Sequence, residues 1–92
     1  MDNSSVPQVR LDARVRRFRG ALLVAVGEET VELADSAAFL FRAVDGVRTV
    51  ADIGALLAEE YDVPAAEAVE DTAEFVAELV DSGILELGGG TP

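Results

Sequence analysis

Few residues in this chain could do covalent chemistry, and the most suggestive is Ser36 behind Asp35. An Asp-Ser pair at a helix start in a small acidic protein can hold a phosphopantetheine arm, which would make the chain an acyl or peptidyl carrier. Against that reading, strand-like sequence precedes the pair, alanine follows it, and a helix cap explains both residues. The carboxylate pairs Glu59-Glu60 and Glu70-Asp71 fall on helical stretches and read as solvated faces. There is no histidine, cysteine or lysine, so the usual general base, thiolate nucleophile and Schiff-base amine are all absent. No acidic loop has the spacing of a calcium site either. The expectation is a protein that is not an enzyme and needs no cofactor or metal.

What remains is non-covalent chemistry between chains. Residues 30–33, Thr30, Val31, Glu32 and Leu33, alternate in polarity like a short strand, and if it is an edge strand its backbone donors and acceptors are unpaired. Residues 64–82 read as a long amphipathic helix with two apolar rows. Val69, Ala73, Val76 and Val80 form one row at helical spacing; Ala68, Thr72, Phe75 and Leu79 form a second beside it. One row suffices to pack the helix, which leaves the second either to complete the core or to line a groove. An extended peptide could add to the edge strand there, gaining affinity from main-chain hydrogen bonds and specificity from apolar pockets. Val31→Pro is then expected to remove an edge donor.

Charge narrows the partners. The formal net charge is -11, with 18 acidic residues against seven arginines. Five of the arginines, Arg10, Arg14, Arg16, Arg17 and Arg19, lie in one N-terminal stretch, so the rest of the chain is nearly uniformly acidic. Nucleic acids draw protein mainly through phosphate neutralisation, and such a body repels them. The polar positions of residues 64–81 are Glu, Asp and Thr, with none of the Arg, Lys, Asn or Gln that read base edges. The longest apolar run, residues 21–26, is far too short to span a bilayer, and the polar N-terminus has no signal-like core. We expect one cytoplasmic, monomeric domain that binds neither nucleic acid nor membrane.

The elements that must position these residues follow from pattern. Residues 1–8 read as a disordered arm and residues 88–92 as a flexible tail, leaving a folded domain over residues 9–87. From Val9 the chain alternates with period two, Gly20 permits a bend, residues 21–26 suit a buried strand, and Gly27-Glu28-Glu29 turns into the third strand. Asp35 or Ser36 is expected to cap a first helix with Ala37, Phe39 or Leu40, Phe41 and Val44 inward. Thr49 caps a second with Val50, Ile53, Leu56 and Leu57 inward, and Asp62 with Pro64 opens the third. Gly83 stops that helix, and residues 84–87 form a small closing strand. The expected class is α+β: a winged-helix-turn-helix-like domain with a three-stranded antiparallel sheet followed by three helices.

The motifs RLDARVRR, GALLVAVGEETVEL, DGVRTVADIGALLAEEYDV and VEDTAEFVAELVDSGIL, in this order and spacing, resemble the PqqD family of peptide-recognition elements from ribosomally made, modified peptide pathways. The resemblance covers residues 9–87. It implies no catalysis and the capture of a precursor peptide's leader segment as an added strand, for delivery to a modifying enzyme, often a radical SAM enzyme. The implied strand wall is Thr30, Val31, Glu32 and Leu33, and the implied helix wall Ala68, Thr72, Phe75, Val76 and Leu79. The segment GEETVELADSAA lacks the aromatics and asparagine that lasso-pathway members carry there. The acidic body suits a leader with some basic residues, and the arginine strip suits acidic leader residues or the enzyme.

Overall fold

The computed structural model describes residues 2–88. Five strands and three helices run in the order β1 (Val6–Val9), β2 (Arg14–Phe18), β3 (Ala21–Val26), β4 (Glu29–Leu33), α1 (Asp35–Ala43), α2 (Val50–Tyr61), α3 (Ala65–Asp81) and β5 (Leu85–Gly88). The class is α+β as expected, with the antiparallel sheet β2-β3-β4 leading into the three helices.

β3 is the middle strand, and its register sets the two faces of the sheet. Val24 lies opposite Val31 and Leu22 opposite Leu33, so these four share the core side. Thr30 pairs with Ala25 and Glu32 with Leu23 on the other side. Val24 is fully buried, whereas every residue of β2 is exposed, so β2 projects as a wing. Gly27-Glu28 closes the β3–β4 hairpin between Val26 and Glu29. Gly27 has φ 58, the positive value that the first position of a two-residue hairpin loop requires.

A second ladder was not expected. β1 pairs with β5 from Val6 opposite Gly88 to Val9 opposite Leu85, so the disordered arm expected over residues 1–8 gives way to strand at Val6. Upstream, the Ser5 and Asn3 carbonyls accept from the N–H groups of Val50 and Ala51 at 3.0 and 2.9 Å. Those donors open α2 and have no partner inside the helix, so the arm is held by backbone bonds that leave no side-chain signature. Gly88 belongs to β5, and the rest of the expected tail lies outside the described residues.

The caps divide into those the side chains supply and those the backbone supplies. Thr49 and Asp52 form a capping box at α2, each side chain taking the other's backbone N–H at 3.0 Å. Neither Asp35 nor Ser36 caps α1, contrary to expectation. Ala34 is its N-cap, with the Ala34 carbonyl accepting from Ala37 and Ala38, and Asp35 stands at φ 53. Asp62 is the left-handed C-cap of α2 rather than a cap for α3, whose N-cap is Pro64. Gly83, at φ 81, ends α3 with Gly83 N–H to the Val80 carbonyl and Ile84 N–H to the Leu79 carbonyl, a Schellman closure. In the α1–α2 loop the Asp45 carboxylate accepts from the N–H groups of Arg48 and Val47, which holds its pKa below the ordinary value.

The core joins Leu22 and Val24 of the sheet to one face of each helix and to Ile84 and Leu85. On α3 the buried line is Ala68, Thr72, Val76 and Leu79, which cuts across the two rows read from sequence. Val69, Ala73 and Val80 of the expected packing row are only half-buried. Thr72 is fully buried because its hydroxyl donates to the Ala68 carbonyl at 2.8 Å, leaving only its methyl to the core. Gly54 of α2 lets α3 come close: a Cβ there would stand 2.7 Å from the Val69 Cα.

Candidate functional site

β4 is the edge of its sheet, with β3 on one side and no strand on the other among the described residues. The two-residue turn fixes which of its backbone groups are free. The pair flanking such a turn, Val26 and Glu29, exchanges hydrogen bonds, and alternate pairs along the ladder then do the same. Val31 and Leu33 therefore bond to Val24 and Leu22, while Thr30 and Glu32 turn their N–H and C=O groups to the open side. The donor expected at Val31 is spent within the sheet, because the ladder alternates along one strand as well as across two.

The side chains of β4 alternate in the opposite sense to the core. Val31 packs half-buried against the core and Leu33 is 6% exposed, while Thr30 and Glu32 stand in solvent. After Leu33 the chain passes through Ala34 into α1, so the edge leads directly to that helix's first turn. Two shallow depressions open there. One, of about 280 Å³, is walled by Ser36, Ala37 and Leu40 of α1, Leu57 of α2, and Asp71, Glu74, Phe75 and Glu78 of α3. The other, of about 190 Å³, shares Ser36, Leu57 and Asp71 and extends to Tyr61 and Val63. Their shared residues make them one trough between α1 and α3, with Tyr61 held edge-on to Phe39 at 5.7 Å between ring centroids.

Of the helix residues singled out in sequence, only Phe75 reaches this trough. Ala68, Thr72 and Val76 are fully buried and Leu79 is 4% exposed, so these four belong to the core. The α3 wall is instead Asp71, Glu74, Phe75 and Glu78, spaced i, i+3, i+4 and i+7 on one face. Sequence reasoning passed over the three carboxylates because acidic helix positions ordinarily mark a solvated face. The spacing around Phe75 was the available signal. The resulting surface offers two free backbone positions, a small apolar floor and an acidic rim. It suits an extended peptide with an apolar side chain for the trough and basic residues for the rim.

The carrier alternative meets a different order of elements. Ser36 is exposed in the first turn of α1 behind four strands, not after the long helix of a carrier protein. Among the described residues no cluster of acidic side chains has the grouping of a metal site, and no helix is long and apolar enough to cross a membrane.

Comparison with known proteins fits this geometry. A protein from Rhizobium meliloti (strain 1021) named PqqA binding protein is 32% identical over 89 residues, covering 95% of this chain and 91% of the relative. The namesake from Xanthomonas campestris pv. campestris (strain B100) is 30% identical over 95% of this chain and 97% of its own length. The PqqD truncation of Methylobacterium extorquens PqqCD, described as a functional, stand-alone recognition element for ribosomally synthesised and modified peptides, superposes with a TM-score of 0.78. It is 30% identical, with 92% of this chain and 93% of that one covered. Lasso peptide synthetase B1, solved with a leader peptide, shares the fold at a TM-score of 0.79 and 24% identity over 88% of this chain and 98% of its own. The family described as coenzyme PQQ synthesis protein D matches residues 19–85, and this chain belongs to the PqqD family.

Proposed function

We propose that the chain is a non-catalytic recognition module that captures the leader segment of a ribosomally made precursor peptide and presents it to a peptide-modifying enzyme. The observation that carries this reading is the unpaired edge of β4, which leads through Ala34 into the helix whose first turn walls the α1–α3 trough. Its relatives named PqqA binding protein and the recognition element from Methylobacterium extorquens support it. The leader adds antiparallel or parallel to β4, bonds to the free groups of Thr30 and Glu32, and seats one apolar side chain beside Phe75. Each such backbone bond contributes on the order of 1 kcal/mol net, so a few of them with one buried side chain suffice for specific capture. The module works as a cytoplasmic monomer, and the receiving enzyme is of the radical SAM class.

Titration calorimetry with a synthetic PqqA peptide of Rhizobium meliloti tests the reading. Glu32→Pro deletes an outward donor without touching the β3–β4 ladder, and is expected to weaken binding by about tenfold, or roughly 1.4 kcal/mol, with stability within about 1 kcal/mol of wild type. Unchanged affinity in this variant would refute strand addition.

A further inference from the structure

The opposite border of the sheet has a different character. β2 carries Arg14, Arg16 and Arg17, and Arg19 follows with its guanidinium 5.3 Å from the centre of the Phe18 ring. Val15 is 45% exposed and Phe18 50%, apolar surface that the fold leaves uncovered. Beside the strand lies a depression of about 480 Å³ with Leu22, Phe41 and Val44 in its floor and Arg16, Arg17 and Arg42 around it. The protein has 18 carboxylates, yet the ion pairs among the described residues use only Arg10 and Arg48. Among the described residues, Arg14, Arg16, Arg17, Arg19 and Arg42 have no counter-charge within ion-pair distance. On a molecule of net charge -11, a small surface of positive sign is a place where an acidic partner meets attraction rather than repulsion.

We propose that the β2 wing with its adjoining depression is a docking surface for an extended acidic segment of a second protein, carrying an aliphatic or aromatic anchor for the Leu22–Phe41–Val44 floor. Charge separates this occupant from the peptide on β4. The trough at α3 is rimmed by Asp71, Glu74 and Glu78 and selects basic or neutral chain, while the wing selects acidic chain. β2 and β4 are separated by β3 in one sheet, so the two ligands approach from opposite borders and can be held together. That the second protein is the peptide-modifying enzyme rests on the function proposed above; the acidic-segment site itself does not. Nucleic acid, the other common arginine ligand, is disfavoured because the strip is short and the surrounding body repels a polyanion.

The probe is a short fluorescein-labelled peptide of alternating Glu and Leu, followed by anisotropy and by amide shifts in the 15N-labelled full chain. Binding is expected to perturb β2 and the end of α1, and to weaken between about 0.05 M and about 0.3 M salt as screening grows. The double variant Arg16→Glu/Arg17→Glu lies on an exposed strand and is expected to melt as wild type and bind the probe at least about tenfold less tightly, while keeping its affinity for PqqA. Should the double variant fail to fold, Arg42→Gln takes its place with the same expectation of weaker binding. The proposal is overturned if shifts fall on β4 or α3, if the folded variant retains affinity, if a Lys-Leu peptide binds equally well, or if a DNA duplex binds the wing more tightly than the probe. Loss of PqqA binding in wild type with probe binding intact would refute the proposed function and leave this surface standing.

Discussion

Gly54 is where α2 and α3 come nearest, and a methyl group there would meet Val69 backbone and side chain at 2.7 and 2.6 Å. The obstruction is main chain, which cannot rotate away, so Gly54→Ala must push the helices apart despite alanine's better helix propensity. The cost expected is about 1–3 kcal/mol, read as a fall of several degrees or more in melting temperature. Thr72→Val is the contrasting case. Its hydroxyl bonds a carbonyl that the helix ladder already uses, so an apolar replacement of the same shape is expected to stay within about 1 kcal/mol of wild type. Such positions explain part of what the sequence concealed. Thr72 and Phe75 share one row in the sequence, open between core and groove, and only the structure separates them: the Thr72 hydroxyl is satisfied locally and buried, while Phe75 shares its face with the carboxylates at i−4, i−1 and i+3.

At the scale of elements, the strands and helices that alternate or repeat strongly were legible, and the short strand paired across the whole chain was not. α2 announces itself through Thr49, Asp52 and the row Val50, Ile53, Leu57, all of which the structure uses as expected. β1 is only Val6, Pro7, Gln8 and Val9, too short to show a clear period, and its partner β5 lies at the far end of the chain. No local pattern encodes a pairing across that separation. β4 was legible as an edge, but the direction of its free groups depends on the turn before it. Two proline variants separate these facts. Val31→Pro breaks a ladder bond and a half-buried contact and is expected to lower stability by about 2–4 kcal/mol, measured by thermal or urea unfolding. Glu32→Pro is expected to leave stability within about 1 kcal/mol of wild type, because edge prolines whose missing N–H faces solvent are tolerated. A larger loss in Glu32→Pro than in Val31→Pro would mean that the ladder runs in the other phase.

For the whole molecule, charge and topology assign each border of the sheet a role. One border is acidic-rimmed and open at β4; the other is arginine-rich at β2, and the helices fix both by packing against β3 between them. The sequence displayed the charge segregation outright, since five of seven arginines precede Gly20. It could not display which helix face meets the open strand, because that depends on how α1 and α3 pack around Leu57. The central claim, that a leader peptide completes the sheet at β4, is tested most directly by amide hydrogen exchange in the full chain with and without PqqA peptide. The account predicts that the Thr30 and Glu32 amides, exposed on the open edge, become strongly protected on binding, while Val31 and Leu33, already bonded to β3, change little. Protection appearing elsewhere, with Thr30 and Glu32 exchanging as fast as in the free protein, would contradict it.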